Sequence, residues 1–284
     1  MRTRALVVGS VVLAVVAGFG AYLGSREFGH QLAIPRPRGC TVEADGRVVL
    51  NPEQMANAAT IAAIGVRRKM PERAVVVALA TAFQESKLEN LAGGDRDSIG
   101  LFQQRPSQGW GTPEQLRDPR YATERFYASL KRVRGWEQMR VTDAAQRVQR
   151  SAHPEAYEKW ADESAVLTRA LLGQATGAVA CTVARKPAMR GSVATAALTE
   201  GLTADWGKPP LAEVAELTGL AVRAADDQSG WRYAHWLVSH ADEHGVKRVR
   251  FGALEWRADD GQWSRVKDAT SADRLVVAEV FADV

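Results

Sequence analysis

Phe83–Gln104 reads FQESKLENLAGGDRDSIGLFQQ, and the rest of the chain is best read outward from it. An apolar helical run, AVVVALATAF (74–83), leads directly to one acid, Glu85. A glycine- and aspartate-rich turn follows, and the compact Gly100-Leu101-Phe102-Gln103 closes the stretch. Ala78, Thr81, Ala82 and Leu88 share the helix face of Glu85, since residues three, four and seven apart stack along one side. An isolated glutamate on a helix is usually solvated. Here the company it keeps points elsewhere, because apolar surroundings disfavour the charged form of a carboxyl group.

Glu85-Ser86 followed by Gly100-Leu101-Phe102-Gln103 resembles the soluble lytic transglycosylase and goose-type lysozyme family, which cleaves the glycan strands of bacterial peptidoglycan. The resemblance covers about Asn51 to Leu172. It implies that Glu85 is the catalytic acid, protonated when it meets the glycosidic oxygen. It also implies that Gly100 gives backbone clearance beneath the substrate and that Gln103 touches the sugar. Ser86, Phe102 and Gln104 complete the implied substrate-contacting set. Gly94-Asp95-Arg96 resembles the goose-type segment whose aspartate helps to position water. Asp95 is therefore either a second carboxylate or a residue bonded to its own turn.

A second goose-type aspartate would fall at Arg105, and its loss shifts the expectation from hydrolysis to transglycosylation. In that reaction one carboxylate serves twice, first as acid and then as the base that lets the sugar's 6-hydroxyl close a 1,6-anhydro ring. A third family block, Ala-Tyr-Asn, carries a tyrosine that bonds the acid. Its nearest equivalent is placed at Asp143-Ala144-Ala145-Gln146, where tyrosine and asparagine are missing, so Tyr121 or Tyr127 is expected to supply the hydroxyl. Gln146 and Gln149 share a helix face and either line the cleft or face solvent. Trp110, in a loop flanked by Gly109 and Gly111, either stacks on a sugar or plugs the core.

Length and composition set the frame. A chain of 284 residues suits two folded domains. A 46% hydrophobic and 25% charged composition describes a globular protein. The net charge of +4 favours acidic polymers, but without a dense Lys/Arg run or aromatic-basic interleaving no nucleic acid is expected. Ala5–Leu23 is an uninterrupted apolar run behind Arg2 and Arg4, long enough at roughly 28 Å for a bilayer core. It reads as an uncleaved transmembrane anchor, with a cleaved signal peptide as the alternative. Both place the body outside the cytoplasm. Cys40 and Cys181 bracket the Glu85 segment and are expected to form a disulfide there.

The fold expected is a mostly α lysozyme-like domain followed by a small α+β domain, with an N-terminal transmembrane helix. The segments are an anchor (1–23), a proline-bearing linker (24–39), the α domain (40–183), a small-residue linker (184–199) and the module (200–284). Helices are expected from Pro52, Pro71, Asp118, Asp143 and Pro154, the last running to Leu172, and in the module over 210–218 and 230–243. Asp45-Gly46 between CTVEA and RVVL predicts a hairpin. The Trp231…Trp236…Gly252…Trp256 pattern resembles a small module trailing some actinobacterial cell-wall hydrolases. His240 and His244 stand four apart, but without H-E-x-x-H they read as a surface helix end, so no metal and no cofactor are expected. The expected partners are peptidoglycan glycan strands and the membrane. A non-catalytic wall-binding protein and a membrane-anchored scaffold are the alternatives.

Overall fold

Asn51 starts the first helix by closing a ring with Gln54. The Asn51 N–H donates to Gln54 Oε1 at 2.9 Å, and the Gln54 N–H returns a bond to Asn51 Oδ1 at 2.8 Å. Pro52 occupies the first helical position, where no amide hydrogen is needed. The computed structural model describes residues 38–151, 153–184, 186–266 and 274–283. The expected anchor Ala5–Leu23 lies outside the described residues. Among those described, no helix is long and apolar enough to cross a membrane.

The first sheet opens as expected, with β1 (Gly39–Glu43) and β2 (Arg47–Leu50) paired around a turn at Asp45. Helices α1 (Pro52–Arg67) and α2 (Glu72–Ser86) follow. The run AVVVALATAF is buried on nearly every side, which makes α2 the central helix of this half. Around it pack α1, α4 (Pro119–Leu130), α5 (Val141–Gln149) and α6 (Ala161–Leu171), while the short α3 (Pro113–Leu116) leads into α4. Strand β3 (Val179–Thr182) then returns to β1, placing Cys181 directly opposite Cys40. The two form the expected disulfide. Closing a loop across 141 residues stabilises the fold by roughly 5 kcal/mol in the chain-entropy account.

From here the structure corrects the expected fold. Residues Arg38–Val284 form one α+β unit rather than a mostly α domain with a small α+β domain behind it. It carries two antiparallel sheets, of three and six strands. The stretch 184–199, expected as a linker, runs into α7 (Gly191–Trp206). Its small residues are alanine-rich and so favour helix. Ala194, Leu198 and Leu202 bury one side of it against α1 and β5 (Gly219–Arg223).

The helix expected over 210–218 is instead the edge strand β4 (Leu211–Ala212) and a turn. Pro209-Pro210 favours extended chain, and the Pro210 carbonyl accepts from the Arg223 N–H at 2.8 Å. Two further helices, α8 (Asp227–Ser239) and the short α9 (Ala241–His244), end at Gly245 in the left-handed region. Strands β6 (Val246–Phe251), β7 (Leu254–Arg257), β8 (Gln262–Arg265) and β9 (Leu275–Val280) complete the large sheet in the order β4-β5-β9-β6-β7-β8.

Polar groups buried between the halves hold them together. Asp205, at the end of α7, is wholly buried. Its Oδ2 accepts from Thr60 Oγ1 of α1 and from Trp236 Nε1 of α8, each at 2.8 Å. Its Oδ1 accepts from Arg120 Nε of α4 at 2.6 Å. His240 and His244 are buried beside this network rather than on a surface helix end. Trp231, Trp236 and Trp256 lie in the core.

His235 joins α8 to the small sheet. Its Nε2 accepts from the Ala178 N–H at 2.9 Å, and Nδ1 lies 2.8 Å from the Ala170 carbonyl, to which it donates. That tautomer is neutral, and burial pushes the histidine down to about 4. Below its ordinary value of about 6.5 the unfolded chain takes up a proton that the folded chain refuses until about pH 4. Stability is thus fully present above pH 6.5 and is lost as the pH falls towards 4. The expected loss is about 1.4 kcal/mol per pH unit from His235, read as denaturation midpoints against pH, and His235→Gln flattens the curve. His240 and His244 are also pushed down, chiefly by burial, and act in the same direction.

Candidate active site

Glu85 stands in the last turn of α2, half-buried, on the wall of an open cleft of about 600 Å³. The turn it stands on is held from outside. Trp160 stacks on Phe83 with ring centres 5.0 Å apart and donates from Nε1 to Gln84 Oε1 at 3.0 Å. Lys87 Nζ sits 4.2 Å from the centre of the Trp160 ring. The helix then breaks at Lys87 and Leu88, both in the left-handed region.

The nearest partner of Glu85 is Tyr157, whose hydroxyl donates to Glu85 Oε1 at 2.7 Å. Burial, and then the charge of Glu85, push the Tyr157 phenol well above its ordinary range. It therefore stays a donor wherever the protein is folded. Tyr121 and Tyr127, the sequence-based candidates, are both engaged elsewhere. The Tyr121 hydroxyl donates to the Trp110 carbonyl at 3.2 Å, and the fully buried Tyr127 hydroxyl donates to the Ile61 carbonyl at 3.0 Å.

The sequence did carry a signal for Tyr157. Ala156-Tyr157-Glu158 keeps two of the three residues of Ala-Tyr-Asn, but lies beyond the Asp143 segment where that block was placed. The expected helix from Pro154 hid it. That stretch is a turn and a 3-10 segment, Glu158–Trp160, ahead of α6. Glu158, in the asparagine position, accepts from the Thr142 N–H at 2.9 Å and ties the turn to the start of α5.

The Gly100 block forms a tight loop beneath the cleft. Ile99 and Gln104 exchange two backbone bonds, at 3.0 and 3.1 Å. Gly100 has φ +77°, and a Cβ there would lie 2.3 Å from the Leu116 carbonyl. Its clearance serves the chain itself. Ser86 Oγ donates to the Leu101 carbonyl at 2.7 Å, locking the loop to the helix of Glu85. Phe102 is buried and stacks on Phe126 at 4.7 Å. Ser86, Gly100 and Phe102, expected at the substrate, thus support the floor and do not line the cleft.

Gln103, Gln104 and Trp110 do line it. Gln103 donates from Nε2 to the Gly100 carbonyl at 3.1 Å, with Gly94 leaving room for its amide. Gln104 is buried, donates to the Ala122 carbonyl at 3.2 Å, and keeps an unpartnered Oε1. Trp110 is packed against the core and also lines the cleft. Of the two glutamines of α5, Gln149 lines the cleft and donates to the Phe102 carbonyl at 2.7 Å. Gln146 turns away to the Ser151 carbonyl.

Asp95 also reaches the cleft, but it is not free. Arg105, standing where a second aspartate was sought, bonds Asp95 Oδ2 through Nη2 at 2.8 Å and Ser98 Oγ through Nε at 3.0 Å. The carboxylate is 79% exposed. Asp97 is the acid bonded across the turn, accepting from the Ser107 N–H at 2.8 Å, which holds its carboxyl below the usual range.

No family model matches the chain, and no curated protein matches it. The site presents one half-buried carboxyl on the cleft wall, held on one oxygen by a phenol hydroxyl. Among the described residues no three His, Cys, Asp or Glu side chains gather as metal ligands.

Proposed function

We propose that this protein cleaves the MurNAc–GlcNAc bond of peptidoglycan by a lytic transglycosylase mechanism with Glu85 as its single acid. The observation that carries the reading is the 2.7 Å bond from Tyr157 to Glu85, set in a cleft whose other acid is tied by Arg105. Glu85 gives its proton to the glycosidic oxygen as the bond from the MurNAc anomeric carbon breaks. The substrate's own N-acetyl oxygen bonds that carbon meanwhile. Glu85, now a carboxylate, takes the proton of the 6-hydroxyl, and that oxygen displaces the N-acetyl group to close the anhydro ring. Each step uses the same carboxyl oxygen, so its orientation governs both. The disulfide supports an oxidising, extracytoplasmic location.

Digestion of purified sacculi with the full-length chain tests this. Anhydro-muropeptides identified by mass are expected. Reducing-end products would make the enzyme a lysozyme, and intact sacculi that retain bound protein would make it a non-catalytic wall binder.

Tyr157→Phe isolates the orienting bond. A hydrogen bond to a charged group is worth about 1.5–3 kcal/mol, so kcat should fall roughly 10- to 100-fold. KM should stay near the wild-type value, because the phenol touches the acid and not the sugar. A change confined to KM would remove Tyr157 from the mechanism.

A further inference from the structure

We propose that the Glu85 cleft continues into a subsite for the carboxylates of the peptide stems carried by the glycan strand. A second hollow of about 650 Å³ adjoins the cleft and shares Gln108, Trp110, Gln149 and Arg150 with it. Its walls bring together Arg125 of α4, Arg132 just beyond that helix, Arg147 of α5, and Arg150 at the end of α5. No aspartate or glutamate lines it.

Their charges are only partly compensated, Arg147 lying within coulombic reach of Asp143, which is itself paired with Arg140. Arg125 donates to the Gly109 carbonyl at 3.0 Å and Arg132 to Ser129 Oγ at 3.2 Å, both neutral acceptors. Among the described residues none of the four makes an ion pair, although the nearby Arg120 and Arg140 each pair with a carboxylate. Four arginines of one sign around a hollow repel one another and raise the local potential, which an anionic ligand relieves. Guanidinium groups also match carboxylate geometry in two-point contacts.

Continuity with the cleft selects the ligand. A strand lying over Glu85 reaches this hollow past Trp110, and its sugars bring little charge of their own. The peptide stems bring carboxylates at regular spacing. The assignment rests on the glycan reading of Glu85, so its test reads binding and not cleavage.

Full-length Glu85→Gln protein, with and without Arg132→Glu/Arg147→Glu, would be sedimented with three preparations. These are intact sacculi, sacculi whose peptides have been removed by an amidase, and sacculi stripped of phosphate polymers by acid. Both arginines are exposed, so the substitutions leave the core alone. Lys186→Glu/Lys208→Glu, an equal charge change outside the hollow, is the control. The arginine variant should bind intact and phosphate-free sacculi about tenfold more weakly, and peptide-free strands within about twofold of the parent.

Equal weakening on all three preparations, equal weakening by the control, or no weakening at all would overturn the assignment. Weakening that disappears with the phosphate would also overturn it, and would give the hollow to phosphate polymers. Missing anhydro products from the wild-type protein would sink the catalytic reading while leaving this binding result intact.

Discussion

Glu85→Gln is expected to leave sacculi undigested, with release of anhydro products down by at least about 10³-fold. General acid or base catalysis by a placed side chain contributes about 10²–10⁴-fold, and here one carboxyl group serves in both steps. Glutamine keeps the size of the side chain and an oxygen that the Tyr157 hydroxyl can bond, so the helix end and the cleft should be unchanged. Binding of the variant to sacculi at wild-type strength, measured alongside the products, ties the loss to chemistry. Asp95, the other acid on the cleft, is exposed and paired with Arg105. Product release within tenfold of wild type would show that another group is the acid.

Much of this site was legible because its signals are local. Glu85 follows the largely apolar run 74–83, Gly100 sits where only a positive φ closes the loop, and Asn51-Pro52 and Asp118-Pro119 start helices by fixed local chemistry. Tyr157 was missed for a non-local reason. Its position is set by where Glu158 and Trp160 find partners on α5 and α2, and neither partner is visible in a helical period. Ser86 and Phe102 are expected at the substrate because motif spacing shows that residues belong together without showing which way they point. Both point down, into the floor.

The linker expected over 184–199 has a related cause. Small residues over 184–199 look like linker in isolation, yet they allow α7 to pack closely on α1 and β5. Further along α7, Gly201 allows a close approach to α9, since a Cβ there would lie 3.0 Å from His244 Nε2. Trp263 adds a second tie, donating from Nε1 to the Val179 carbonyl at 2.7 Å and so joining the large sheet to the disulfide-bearing strand.

Asp205→Ala tests whether those ties make one cooperative unit. The substitution leaves Trp236 Nε1 without its acceptor, Thr60 with only its 3.4 Å contact to His240 Nε2, and Arg120 without its anion. Breaking a buried pair by removing one member typically costs about 3–5 kcal/mol. Arg120 is itself 35% exposed and can turn towards water, so the lower end applies, about 3 kcal/mol. For a chain of this size that is a fall of roughly 6–12 °C in Tm. In urea the whole transition should move to lower concentration as a single step with its slope unchanged, because α1, α4, α7 and α8 all meet at this one carboxylate. Two separate halves would behave differently: the variant would unfold in two steps, with the Glu85 half melting where it did before. Thr60→Val removes one donor and its acceptor lone pairs together, so it should cost less than Asp205→Ala while shifting the same single transition.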